Sequence, residues 1–190
     1  MYNHIIKELT DRLIGLLLFL IAAPILLILM LIIKLESRGP AIYKQVRTGK
    51  NGKDFTIYKL RSMYYNLNNS GAHFTTTDDL RITKIGKFIR LTSLDELPQA
   101  FNLLLGDMSF IGPRADLPVQ KDNYTPEEWT LRHLIKPGIT GLAQALRRSQ
   151  CTPKQRKRLD LFYVKKLNCF LDLYIVYKTF DVVFKRGAQN

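Results

Sequence analysis

Between Leu13 and Ile33 the chain runs LIGLLLFLIAAPILLILMLII, 21 residues without a charge. Nothing else in the sequence restricts the fold as strongly. As a helix rising about 1.5 Å per residue the run reaches about 31 Å, the thickness of a bilayer's hydrocarbon core. A secretory signal has a shorter apolar core and a small-residue cleavage site. This run continues straight into Lys34 and reads as a retained anchor. The alternative is the core helix of a soluble protein, which seldom carries so many uninterrupted apolar positions. Pro24 falls at mid-run, where it removes one backbone hydrogen bond and crowds the carbonyl four residues earlier, so a bend is expected there. Two geometries fit: a bent span, or a segment that turns back inside the bilayer and leaves both ends on one face.

The charges ahead of the run, Lys7, Glu8, Asp11 and Arg12, cancel, so the formal net charge of +13 lies downstream, where 27 basic residues face 14 acidic ones. The positive-inside rule then puts the downstream domain on the cytoplasmic side, while the short N-terminal tail fits either side. A length of 190 residues suits one domain plus an anchor: residues 1–35 as the membrane helix and 36–190 as a membrane-associated domain. Cys151 and Cys169 are too few for a disulfide scaffold or a four-cysteine zinc site, and His4, His73 and His133 are scattered. A transition-metal centre is therefore not expected. A hard cation held by carboxylates stays open.

After the turn signal Ser37–Pro40, strand-like stretches at 41–46 and 55–59 flank Asn51-Gly52 and predict a β-hairpin. Residues 66–79 read as an exposed loop, suited to a lid or a substrate-facing segment. Helical patterns follow at 80–91, 97–105, 126–135 and from about 153 to the end. The fold class is thus α+β, mostly helical with a small hairpin. The last segment mixes Phe170, Leu173, Tyr174, Tyr177 and Phe180 with Lys178, Lys185 and Arg186, a pattern that suits both core packing and an anionic membrane surface.

The segment Thr92–Gln99, TSLDELPQ, sets two carboxylates side by side. A capping box with Ser93 as N-cap would make Pro98 the fifth helical residue, where it cannot supply the required hydrogen bond. A helix starting at Asp95 or later puts Pro98 in the first turn and Asp95 at the helix mouth, which favours an ionised carboxylate as nucleophile or cation ligand. A simple Asp N-cap is the structural alternative. Around the pair in sequence lie Lys59, Arg61, Arg90 and Arg114, cations of the kind a pyrophosphate needs.

With these residues the chain resembles the small monotopic phosphoglycosyl transferases, bacterial sugar-phosphate transferases acting on polyprenol phosphate. The resemblance covers nearly the whole chain: Lys7 and Asp11, Tyr43–Gly49, Tyr58–Met63, Asp79 and Arg81–Thr83, SLDELPQ at 93–99, GDMSFIGPR at 106–114 and KPGITGLAQ at 136–144. It implies a re-entrant membrane helix broken at Pro24, with both ends and the catalytic domain on the cytoplasmic face of the bacterial inner membrane. It also implies a UDP-sugar donor, polyprenol phosphate (undecaprenyl phosphate) as acceptor, and Mg²⁺ held by Asp95 and Glu96. Asp95 would attack the β-phosphate, release UMP and carry the phosphosugar to the lipid; Glu96 would assist with Mg²⁺ or protons. Lys59, Arg61, Arg90, Arg114 and Lys136 would grip phosphates. The sequence departs from the usual pattern at Glu8, Ala23, Ala115 and Lys136, where a base, Ser, Pro and Arg are common.

Membrane lipids are expected partners, nucleic acid is not, and a homodimer stays open. The alternative is a membrane-anchored basic module that binds nucleic acid, anionic lipid or protein without catalysis. Adjacent acids amid bases are not what such a surface needs.

Overall fold

The computed structural model describes residues 4–65, 79–147 and 151–187; most of the 66–79 loop and Arg148 fall outside them. The side chains of Lys185 and Arg186 also lie outside the described part. Helix α1 (His4–Glu36) is followed by the strands β1 (Ile42–Thr48) and β2 (Asp54–Leu60) and by helices α2 (Lys84–Leu91) and α3 (Gln99–Leu105). Then come β3 (Ser109–Ile111), α4 (Pro126–Arg132), β4 (Gly138–Thr140), α5 (Leu142–Arg147), α6 (Pro153–Lys166) and α7 (Cys169–Gly187). The chain is mostly helical with a small antiparallel hairpin, as expected from the sequence. In the hairpin turn Asn51 and Gly52 take positive φ, and Gly49 N–H donates to the Lys53 carbonyl over 2.8 Å.

Contacts group the chain into two compact units: Met1–Ile14, Val46–Thr56 and Leu103–Asn190 form one, Gly15–Gln45 and Ile57–Asn102 the other.

In the second unit α1 buries one stripe and exposes the rest. Ala22, Leu26, Leu29 and Ile33, spaced by four, three and four residues, pack with Ala41, Leu60 and Ile89. Leu16, Leu17, Leu20, Ile21, Ile25, Leu27, Ile28 and Leu31 are exposed. A soluble protein's core helix would bury these, so the exposed sides mark a helix made for an apolar surrounding. By length and composition α1 suits a membrane. The helix continues through Pro24, which lies inside one helical element.

The C-terminal end of α1 is fastened by two side chains. The Arg61 guanidinium, 3% exposed, donates to the carbonyls of Ser37 (2.6 Å), Arg38 (2.9 Å) and Ile33 (3.2 Å). Glu36 accepts the Ile85 N–H at 3.1 Å and so joins Thr83, whose hydroxyl accepts the Gly86 N–H, in capping the start of α2. Gly39, at φ 117°, leaves room for Arg61: a Cβ there would strike the guanidinium.

In the first unit β3 and β4 pair in parallel, Ser109 opposite Gly138 and Ile111 opposite Thr140. A Cβ on Gly138 would strike the Gly112 amide, and one on Gly141 the Gly112 carbonyl, so glycines permit this close crossing. Thr125-Pro126 and Thr152-Pro153 open α4 and α6 with capping boxes closed by Glu128 and Gln155. Ile111, Leu142, Ala145, Tyr163 and Ile175 form the core, with Leu171 and Val176 packed against it. The opposite face of α7 exposes Phe170, Leu173, Tyr174, Tyr177 and Phe180, with the Lys178 ammonium 5.9 and 5.7 Å from the two tyrosine rings. The helix thus serves the core on one side and presents an aromatic stripe on the other.

Candidate active site

The acid pair lies in the second unit, in a single 3-10 turn, Leu94–Glu96, between α2 and α3. The chain reverses at Ser93, held at φ 61° in the left-handed region, and its hydroxyl makes no capping bond. That geometry excludes the capping box. It also corrects the expected helix mouth: α3 begins at Gln99, so Asp95 sits four residues ahead of it, and Pro98 precedes the helix instead of occupying its first turn. The amides of Glu96 and Leu97 donate to the carbonyls three residues earlier, Ser93 and Leu94, both at 3.2 Å.

In a 3-10 turn residues three apart share a face. Leu94 and Leu97 are that pair here, and both pack on the cluster built from the α1 stripe. Asp95 and Glu96 take the other directions and are half-buried. The two leucines beside the carboxylates thus pack on a cluster to which α1, β2 and α2 all contribute.

Lys59, on β2, donates from Nζ to Glu96 Oε1 over 2.7 Å, with 15% of the lysine and 21% of the glutamate side chain exposed. The pair is half-sheltered, so screening of its attraction is incomplete. β2 is located by Asn102 of α3, whose Oδ1 accepts the Tyr58 N–H at 3.2 Å, and by the edge-to-face contact of Tyr58 with Phe101 at 5.7 Å. Arg90 is the penultimate residue of α2, half-buried, three positions before the Ser93 reversal. Near the start of α2, Arg81 grips Asp79 at 2.6 Å and draws its carboxyl down to about 2.

Arg61, expected on phosphate, is spent elsewhere: its guanidinium is buried on the carbonyls at the end of α1. Lys59 and Arg61, two positions apart, would share one face of a continuing strand, but β2 ends at Leu60 and Arg61 lies beyond it. Arg114 and Lys136 belong to the first unit. Lys136 pairs with Glu8 at 3.1 Å, and Glu8 also accepts from Arg12 at 2.9 Å, so the acid found where a base is common has two cationic partners. Lys7 reaches Asp172 at 2.8 Å, and Asp11 accepts the Phe110 N–H at 2.9 Å.

Sequence reasoning missed a buried ion cluster in the first unit. Arg132 contacts Asp116 and, at 2.7 Å, Asp160, while Arg156 contacts Asp116 at 2.6 Å. Burial alone would lower the Arg132 pKa, but the two carboxylates outweigh it and hold the guanidinium above its usual range. The only sequence signal was the four-residue spacing of Arg156 and Asp160.

For a divalent cation the described residues offer no group of three or more carboxylate, His or Cys ligands. Two adjacent carboxylates nonetheless fit the mode in which Mg²⁺ takes one or two protein oxygens and completes its shell with water and substrate phosphates.

The sequence matches the bacterial sugar transferase family over residues 2–186. It is 41% identical over 190 residues to the UDP-glucose:undecaprenyl-phosphate glucose-1-phosphate transferase of Klebsiella pneumoniae, covering 96% of this chain and 40% of that protein. It is 40% identical over 166 residues to the UDP-N-acetylgalactosamine-undecaprenyl-phosphate N-acetylgalactosaminephosphotransferase of Aeromonas hydrophila, covering 85% of this chain and 39% of that protein. With the exopolysaccharide production protein PSS of Rhizobium leguminosarum bv. phaseoli it shares 42% identity over 180 residues, 88% of this chain and 90% of that protein. The chain thus spans about two-fifths of the length of the first two relatives and nearly all of the third. A match that runs almost from end to end, with the acid pair inside it, places the chain in the bacterial sugar transferase family.

Proposed function

We propose that this chain transfers a sugar 1-phosphate from a UDP-sugar to polyprenol phosphate, through a phosphosugar carried on Asp95. The observation that supports this reading best is that Leu94 and Leu97, which flank Asp95 and Glu96, pack on the core cluster that includes the buried stripe of α1. A lipid phosphate stays at the depth where an apolar segment meets its polar domain, and a nucleophile for it belongs at that depth.

In the first step an Asp95 carboxylate oxygen forms a bond to the β-phosphorus of the UDP-sugar. The bond from that phosphorus to the bridging oxygen breaks, and UMP leaves with the oxygen. In the second step a phosphate oxygen of the lipid attacks the same phosphorus, the bond to Asp95 breaks, and the carboxylate is restored. Phosphoryl transfer of this kind depends on positioning and on offsetting anionic charge. Lys59 holds Glu96 in place. Arg90, Arg114 and Lys136 supply cations for the phosphates. Asp95 and Glu96 would hold Mg²⁺, whose chemistry here is to neutralise charge on the phosphoryl oxygens.

On this reading α1 enters and leaves the membrane on one face, with Pro24, which leaves one helical hydrogen bond unmade, as the point where the continuous helix yields. Residues 36–190 then lie on the cytoplasmic face of the bacterial inner membrane, with the α7 aromatic stripe at the lipid surface.

The full-length protein, incubated with Mg²⁺, undecaprenyl phosphate and either UDP-glucose or UDP-N-acetylgalactosamine, is expected to release UMP. Asp95→Asn should abolish release and prevent the trapping of a phosphosugar on the protein, with an unchanged melting midpoint. Normal UMP release by Asp95→Asn would refute the assignment of the nucleophile.

A further inference from the structure

Past the end of β3 the chain runs irregularly through Gly112–Asp116, with no sheet ladder to take its carbonyls, yet four in succession accept hydrogen bonds. Pro113 accepts from the Gly138 N–H at 2.9 Å and Asp116 from the Thr48 N–H at 2.9 Å. Ala115 accepts from the Arg47 guanidinium at 2.9 Å. Arg114 accepts from two guanidinia, Arg132 at 2.7 Å and Arg156 at 3.1 Å. These same two arginines are held by Asp116 and by Asp160, which is 1% exposed. Two arginines and two aspartates make a neutral cluster, assembled from α4, α6 and the segment itself.

A buried cluster of four charges is an expensive way to stabilise a fold. Apolar groups of similar volume often do as well or better, so such a cluster marks a need for one defined geometry. What it defines here is the backbone of Arg114: both donors on that carbonyl come from it, and the carbonyls on either side are fixed as well.

We propose that Arg132 and Arg156 are positioning residues that lock the Arg114 backbone, so that the Arg114 guanidinium is presented in one direction to a substrate phosphate. The proposal rests on the reading of Arg114 as a phosphate-binding residue. Arg132 is wholly buried and its removal unfolds too much to be informative. Arg156 is partly exposed and is the residue to change.

The test is a double-mutant cycle on the full-length protein in detergent micelles, with UMP release measured against the concentration of UDP-glucose and of UDP-N-acetylgalactosamine. Arg156→Gln is expected to lower kcat/KM about tenfold or more, mainly through KM, as a displaced binding group does. Its melting midpoint should stay within a few degrees of the parent. Arg156→Lys, whose ammonium can donate to Asp116 and to the Arg114 carbonyl as the single Nη2 nitrogen does in the parent, should restore most of the parent KM. In an Arg114→Ala background neither change should lower kcat/KM further. An equal fold-loss with and without Arg114 would overturn the proposal and make the cluster merely structural. Unchanged KM in Arg156→Gln, with Arg114→Ala impaired, would overturn it while leaving the phosphate role intact. Full activity of Arg114→Ala would overturn the phosphate role and the positioning proposal together.

Discussion

Replacing Arg61 by alanine tests whether this arginine serves the end of α1 or the substrate. In the structure it makes three bonds to main-chain carbonyls at 2.6, 2.9 and 3.2 Å and one to the Ser37 hydroxyl at 2.9 Å. A hydrogen bond to a charged donor contributes about 1.5–3 kcal/mol. The full sum is not lost, because the Ile33 carbonyl keeps the Ser37 N–H at 3.2 Å and the Arg38 carbonyl lies where water can replace the guanidinium. A loss of about 3 kcal/mol is the reasonable figure. For a chain of this size it corresponds to a fall of about 6–12 °C in melting midpoint. The assay is thermal unfolding in micelles, followed by circular dichroism, with KM for the sugar nucleotide measured below the midpoint. Arg61→Ala should melt early and retain the parent KM. An unchanged midpoint with a raised KM would refute the capping role and return Arg61 to the phosphate site.

Three further perturbations address the first unit. Gly138→Ala drives a methyl into the Gly112 amide and should cost about 1–3 kcal/mol, read as a lower melting midpoint. Gly52→Ala, with open space around it and only a positive φ to strain, should cost about 1 kcal/mol; equal effects would undo the steric argument. Burial pushes the His133 imidazole below its usual value, and Nδ1 lies 2.8 Å from the Trp129 carbonyl. Between the folded pKa and the unfolded value of about 6.5 the unfolded chain binds more protons, so His133's contribution is complete above that value and declines as pH falls through it. Melting midpoints from pH 8 to 5 should fall more steeply for the parent than for His133→Gln; parallel curves would exclude this origin.

What the sequence reveals is what local chemistry encodes. Thr125-Pro126 and Thr152-Pro153 carry their caps within four residues, and the starts of α4 and α6 follow directly. The hairpin is likewise legible in Asn51-Gly52 between two strand-like runs. α2 begins at Lys84, not at residue 80, because Thr83 caps it while Asp79 and Arg81 bond to each other. The expected α-helical mouth at Asp95 fails for a similar reason: the left-handed Ser93 starts a tighter turn, and its conformation has no signature in residue type. The long last helix divides at Leu167-Asn168, where the Asn168 side chain accepts the Leu171 N–H and starts α7 anew. The parallel pairing of β3 with β4 and the Asp116, Arg132, Arg156 and Asp160 cluster join residues far apart in the chain. Only the packed fold brings such partners together.

Ala22, Leu26, Leu29 and Ile33 make up most of the cluster under the two leucines that flank the acid pair, which ties helix phase to the placement of the acids. One residue inserted into α1 between Ala22 and Ile33 would turn that stripe by about 100° and advance it about 1.5 Å, carrying the leucine seat out of register. Four inserted residues would nearly restore the azimuth while shifting the seat about 6 Å along the axis. The placement of the acid pair is therefore sensitive to the residue count along a greasy rod, and only whole turns can be added or deleted without swinging the stripe aside.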